Sequence, residues 1–401
     1  MVYFILVFIL LLLVYHFDYQ GHKKRRTEWY IVICIYLIAI AGLRYRIGND
    51  SVSLEQKYYL QPDLYEYFTG FDFNDSRYGR GFLLLSAICK SISPSFVVLQ
   101  FAHAIFITPI IFYFFYKNTK HIFLAALLYF LGCYTLFTFE IMRESCAVAV
   151  GCIAWQYFKT NKLFKYYFCA IIAILFHPSG SILLILPIFN LPIFKPFFRP
   201  GLWLWIGLFT FTIVAAYLSV KFFDLIRLIQ ISQVEDYANG YENSKFGGAT
   251  TLSLNGTIFF FFRSFLYPAL AIWILNSKKR KSSESVNIEY LVCWFMYMTI
   301  ASFFIDILSR FNNYFWPYVI LAVSNVSFTQ IKLKFNPNLR NLSFGLWMCI
   351  LLPYMSLLAY GQCSKDNLTG IRFYHRYYPY NSIIFPERDE VRETLFRSRG
   401  L

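Results

Sequence analysis

Long apolar runs, broken by short charged clusters, recur along almost the whole chain. A helix that crosses a bilayer needs about 20 apolar residues. Runs of that length or somewhat shorter fall near 2–17, 29–43, 96–116, 121–139, 142–158, 164–176, 179–192, 202–219, 258–276, 287–308, 311–329 and 342–360. The pattern predicts an all-α polytopic integral membrane protein with roughly 12 transmembrane helices, organised as a single membrane domain over residues 1–401. The stretch 82–94 is apolar on one side only, which predicts an interfacial or re-entrant helix. No period of 20–50 residues marks a repeat array.

The runs 164–176 and 179–192 flank His177-Pro178, where one kinked helix competes with two short spans. Charge decides between them. With two spans, Lys23–Arg26, Lys117/Lys120, Lys159–Lys165, Lys195/Arg199, Lys278–Lys281 and Lys332/Lys334 all fall on one side, as the positive-inside rule asks. With one span the last three clusters change sides. The two-span topology places both termini outside. It gathers the loops 44–81 and 220–257 and the polar tail 361–401 on the outer face, together with Arg44, Arg46, Asp50, Arg77, Arg80, Glu140, Arg143, His177 and Arg310. Arg263 lies about one turn inside the membrane from that face.

Composition agrees. The chain is 58% hydrophobic and 15% charged, with 46 Phe and a mean hydropathy of +0.49, too little polar surface for a soluble protein of 401 residues. The net charge of +15 sits in the inter-span clusters, so it anchors topology and does not point to nucleic acid. The nine cysteines, mostly within apolar runs, show neither metal spacing nor a disulfide framework. Met1–Phe17 lacks a positive leading segment and is followed by Lys23-Lys24-Arg25-Arg26, so it reads as a first span with its N-terminus outside.

Outward arginines run against the positive-inside bias and need another reason to be there, of which an anionic ligand at the outer leaflet is the simplest. Arg44 and Arg46 close the second span beside Gly48 and Asp50; two planar forks could hold a phosphate, or anchor a helix end to headgroups. Arg143 begins the 142–158 span, where the helix dipole disfavours a cation; its partner is either Glu140, Glu144 or a ligand anion. His177 stands before a proline at a span end, as a proton acceptor or as a structural turn residue. Arg310 follows Asp306 by one helical turn and pairs with it or with a ligand. Arg263, in Phe259-Phe-Phe-Phe-Arg263, must snorkel or face a polar cavity. There is no GxxxxGK[ST], HExxH or GxSxG motif.

These landmarks resemble the EpsG family, a Wzy-like group of bacterial exopolysaccharide and O-antigen polymerases. The resemblance spans nearly the whole length: Arg44-Tyr-Arg46-Ile-Gly48-Asn-Asp50, Arg80-Gly81-Phe82, Met142-Arg143-Glu144-Ser145, Phe176-His177-Pro178-Ser179, Arg310-Phe-Asn-Asn-Tyr314 and Tyr378-Pro379-Tyr380. The family's usual glutamate and proline before the Gly-Phe landmark are replaced here by Tyr78-Gly79-Arg80. The resemblance implies a GT-C-like helical fold in the bacterial inner membrane. It also implies a glycosyltransferase that joins undecaprenyl-diphosphate-linked oligosaccharides at the periplasmic face, without cofactor or metal. Arg44, Arg46, Arg143, Arg310 and Arg263 would stabilise the diphosphate, and His177, then Asp50 or Glu140, would take the acceptor proton. The bilayer, a chain-length regulator and a flippase of the same pathway are the implied partners. An O-antigen ligase shares the donor but not the acceptor. A transporter of lipid-linked oligosaccharide is disfavoured by the lack of inverted repeats and by charge gathered on one face only.

Overall fold

The computed structural model describes residues 2–73, 78–222, 224, 254–278, 288–327, 353–356, 358, 365 and 369–397. The expected loop 220–257 and span 342–360, the first part of the tail, Arg77 and Lys332/Lys334 lie wholly or largely outside the described residues. Among the described residues every regular element is helical, and the few β-bridges are isolated. The chain is an integral membrane protein. It divides into two compact units, residues 1–181 with 327–401, and residues 182–326.

The first unit holds α1 (Val2–Tyr19), α2 (Arg26–Gly42), α3 (Asn49–Tyr58), α4 (Leu64–Thr69), α5 (Arg80–Ile92), α6 (Phe96–Asn118), α7 (Ile122–Tyr134), α8 (Met142–Lys159) and α9 (Leu163–Phe176). The helical run begun by α7 continues to Glu140 through a widened turn, Leu136–Glu140, which makes one element of the expected span 121–139. α8 and α9 form a tight hairpin about the basic turn of Lys159, Lys162 and Lys165. α9 stops at His177, whose extended backbone (φ −155°, ψ 134°) is what a following proline enforces. The 3-10 turn Pro178–Ser181 then lies back against Ala173 of α9.

One buried carboxylate organises the basic end. Asp18, in the last turn of α1, accepts from the Leu124 amide at the start of α7 (2.8 Å) and from Arg26 (3.2 Å). Arg26 also donates to the Lys120 carbonyl. The clusters Lys23–Arg26 and Lys117/Lys120 therefore meet at one end of this unit, as the charge pattern predicts. The helix directions then put the end of α2, the start of α6, Glu140 and the start of α8 at the opposite end, and the α8–α9 hairpin adds His177.

By length and composition α1, α6 and, in the second unit, α11 (Leu202–Ser219) and α12 (Leu254–Asn276) can cross a membrane. The other apolar helices are shorter, α9 having 14 residues. At 1.5 Å per residue that is about 21 Å, less than a hydrocarbon core. The expected outer loop 44–81 holds two helices, α3 and α4, and the first residues of α5. In α4 the Asp63 side chain accepts from the Glu66 amide (2.8 Å) while Glu66 accepts from the Asp63 amide (3.0 Å), a reciprocal cap. The expected interfacial helix is α5, its apolar side buried through Phe82, Leu83 and Ala87.

The tail is tied to the end of α2. Tyr45 donates its amide to the Asn381 carbonyl (2.9 Å), Ile383 to Leu43 (2.8 Å) and Gly48 to Arg376 (3.1 Å). Beyond lies α15 (Glu390–Arg397). Its Arg392 is 1% exposed and donates to the carbonyls of His375 (3.0 Å), Arg46 (3.4 Å) and Pro379. Glu393 grips the Arg46 fork at 2.7 and 2.9 Å. The second unit adds α10 (Ile182–Phe189), α13 (Ile288–Phe304) and α14 (Trp316–Ser327), and its core is aromatic: Trp294 stacks on Phe198 (5.0 Å) and Phe315 (6.1 Å).

Arg392→Met should destabilise the first unit by about 2–4 kcal/mol, because three buried carbonyls lose a charged donor; thermal unfolding in detergent measures it. Arg46 holds the Glu393 carboxyl below the usual glutamate range. A depressed carboxylate contributes stability that is present above its unfolded pKa and lost as pH falls through the folded one. Protease cleavage of the tail should therefore accelerate as pH falls below the ordinary glutamate range, and Glu393→Gln should remove that dependence.

Candidate functional site at one end of the first unit

The site begins where α2 ends. Gly48, at φ +90°, is the N-cap of α3, and a Cβ there would meet the Phe139 carbonyl at 2.7 Å. Only glycine lets the Arg44–Asp50 loop lie this close to the Leu136–Glu140 turn. The contact brings Glu140 under α3. One carboxylate oxygen accepts from the Asp50 amide (3.0 Å), serving a helix N-terminus from a distant part of the chain. The other accepts from the Tyr377 hydroxyl (3.0 Å). Burial, then Glu140, pushes the Tyr377 phenol well above its ordinary pKa, so it stays a donor. Glu140, expected as a base, is thus engaged as a cap that joins α3 to the tail, whereas the Asp50 side chain is exposed.

Arg44 is sealed at 1% exposure. Its guanidinium donates to the Ala41 carbonyl, to Ser51 Oγ (3.3 Å) and to Met142 Sδ (3.3 Å), and lies 5.1 Å from the Phe139 ring centre. Its Nε has no hydrogen-bond partner, and no carboxylate lies within ion-pair distance of it among the described residues. Burial lowers its pKa to about 10, which leaves it protonated at neutral pH. Arg46, by contrast, has its fork filled by Glu393, which raises its pKa.

Beneath α8 lies a layer that sequence reasoning missed. His103 of α6 is fully buried, and its Nε2 is 2.9 Å from both the Met142 carbonyl and Ser145 Oγ. A carbonyl only accepts, so Nε2 carries the proton. Ser145 donates to the same carbonyl at 2.9 Å. Gln100, one turn earlier, directs its amide nitrogen to the carbonyls of Gly42 and Arg44, 3.2 Å each. Met142 is therefore fixed through its carbonyl and its sulfur, and it immediately precedes Arg143.

Arg143 is half-buried, with its guanidinium 4.5 Å from the Tyr78 ring centre. Burial raises the Tyr78 pKa, the Arg143 charge opposes the shift and the Asp50 charge adds to it, so cation and carboxylate both act on that hydroxyl. Tyr78 reaches this place because Gly79 packs on the end of α9, where a Cβ would meet the Leu175 carbonyl at 2.4 Å. The next residue after that helix is His177, 6% exposed, with Nδ1 at 2.6 Å from Ser179 Oγ and 3.2 Å from the Ser179 amide.

The first unit thus brings together Arg44, Asp50, Glu140, Arg143 and His177 at one end, with Arg46 alongside in its pair with Glu393. Chemically, this end offers a half-buried guanidinium against an aromatic wall, an exposed carboxylate, an imidazole and a sealed positive charge. Arg263 and Arg310 belong to the second unit. Arg263 lies 5.7 Å from the Trp316 ring centre. Arg310 is half-buried in the short helix Ser309–Asn313, which Asn312 pins to α13 through Thr299 and Ser302 at 3.3 Å each. Tyr78, Gln100, His103, Tyr377 and Glu393 were not singled out as site residues. Polar residues inside the α6 apolar run were the signal for two of them.

Neither a curated protein nor a solved structure matches the chain. The model of the EpsG family matches residues 27–382, a range that includes every site residue above except Glu393. That family is a Wzy-like polymerase family, which points to an exopolysaccharide-related, glycosyltransferase-like polymerase acting on a lipid-linked substrate in a membrane. On that match, which covers most of its length, the chain belongs to the EpsG family.

Proposed function

We propose that the protein is a polysaccharide polymerase of the bacterial inner membrane, with a GT-C-like scaffold. In this reading it joins undecaprenyl-diphosphate-linked repeat units of an exopolysaccharide, capsule or O-antigen at the periplasmic face. The observation that carries the reading is Arg143 against Tyr78, with Asp50 acting on the same hydroxyl, beside a sealed Arg44 whose hydrogen-bond acceptors are all neutral. A buried charge held only by neutral hydrogen-bond acceptors is costly, and a diphosphate in the membrane plane would add negative charge to that of Glu140, which acts on Arg44 from a distance.

In the reaction the acceptor sugar hydroxyl gives its proton to Asp50. Its oxygen bonds to the anomeric carbon at the reducing end of the donor chain. The bond from that carbon to the diphosphate oxygen breaks, and both electrons leave on undecaprenyl diphosphate. Arg143 meets the growing negative charge directly. Arg44 adds its field through a low-dielectric layer, where charge is weakly screened, and holds Met142 in place. Arg46 joins only by exchanging the Glu393 carboxylate for a phosphate.

Arg143→Ala should abolish the cell-surface glycan ladder with the protein still inserted in the membrane, and a normal ladder would refute its role. Arg143→Lys should recover less than about a tenth of wild-type polymer, since an ammonium cannot replace a planar fork. Asp50→Asn should lower polymer formation by about 10²–10⁴-fold, the usual contribution of a general base, measured in membranes charged with the host's own lipid-linked units.

A further inference from the structure

The surroundings of His177 point away from proton abstraction. A backbone N–H only donates, so the Ser179 amide, 3.2 Å from Nδ1, makes that nitrogen an acceptor. The Ser179 hydroxyl, at 2.6 Å, adds a second donor to the same atom. In the neutral ring the proton then sits on Nε2. The opposite tautomer, with Nδ1 protonated, keeps the hydroxyl contact but turns the amide against a proton. A general base would have to use Nε2 as its acceptor, and that is the nitrogen this turn protonates.

Nδ1 serves the 3-10 turn Pro178–Ser181 as a cap, accepting an amide two residues ahead while the Gly180 amide returns to the His177 carbonyl at 2.9 Å. Capping needs one short acceptor, and Asn, Asp or Ser supply it better than imidazole. What imidazole has and those residues lack is the second nitrogen. His177 also follows directly on the α9 end that carries Tyr78 on Gly79, and Tyr78 is the aromatic wall of Arg143.

We infer that Ser179 is a positioning residue that sets His177 in its Nε2–H tautomer, and that His177 acts as a hydrogen-bond donor to a phosphate oxygen of the lipid-diphosphate substrate, not as the base. This rests on the polymerase reading above. The donor gains importance as the sugar–oxygen bond breaks and charge builds on the leaving diphosphate. Asp50 is then left as the carboxylate that takes the proton.

Three variants test it beside a deletion strain and Arg143→Ala, with surface-glycan ladders and melting temperature in detergent as readouts. His177→Asn keeps a cap acceptor and loses the second nitrogen. It should melt within a few degrees of wild type yet lose at least 100-fold of polymer; near-normal polymer makes His177 a cap only and overturns the inference. His177→Gln brings an amide N–H towards the Nε2 position and should retain at least ten times the polymer of His177→Asn; equal inactivity of the two contradicts the donor role. Ser179→Thr, which preserves both donors, should stay within threefold of wild type, and a loss as deep as that of His177→Asn contradicts the positioning role. If deletion and Arg143→Ala leave the ladder intact, the polymerase reading itself fails. If they abolish it while His177→Asn does not, only the present inference fails.

Discussion

A guanidinium sealed among apolar side chains is the constraint on which the rest of the first unit depends. Arg44 spends its donors on a carbonyl, a hydroxyl and a thioether, none of them negatively charged. An ion held this way is costly unless something nearby is arranged around it. The arrangement is visible: Gln100 reaches the carbonyls of Gly42 and Arg44, Arg44 reaches Met142, and His103 and Ser145 hold the carbonyl of the same methionine. The start of α8 is thereby locked, and with it the direction in which Arg143 leaves the helix.

The two ends of the unit use the same device for different purposes. At the basic end Asp18 accepts from the first turn of α7 and from Arg26, drawing four helix ends together. At the other end Glu140 accepts from the first turn of α3 and from Tyr377, drawing the segment after α2 and the tail together. In both, a carboxylate serves a helix N-terminus that local sequence leaves uncapped. The first of these binds structure alone. The second leaves Asp50 exposed beside Arg143 and Tyr78, where chemistry can happen.

Much of this was legible in the sequence. Positive-inside bookkeeping paired the basic clusters of α2 and α6, and the His177-Pro178 break sent Arg143 and His177 to one end of a hairpin. The helical nature of 44–81 was readable in part from Asp63 and Glu66, three apart as a reciprocal cap requires, but a polar stretch between spans reads as loop. The Arg46–Glu393 pair, 347 residues apart in sequence, has no local signature. The same holds for Tyr377 on Glu140. His103 was hidden because a histidine within an apolar run is more often a satisfied core residue, and here it is a strut whose importance lies in what it holds. Arg44 and Arg46 look equivalent in sequence, two forks two residues apart. Burial and Glu393 separate them into a sealed charge and an occupied one.

The central claim is that this end of the first unit binds a lipid diphosphate through Arg143. The most direct test is calorimetric titration of a polyprenyl diphosphate into the purified full chain in nanodiscs, beside Arg143→Ala and beside the matching polyprenol. The account predicts saturable binding of the diphosphate by wild type, at least tenfold weaker binding by Arg143→Ala, and no comparable binding of the uncharged polyprenol. Equal affinity of wild type and Arg143→Ala for the diphosphate would contradict it.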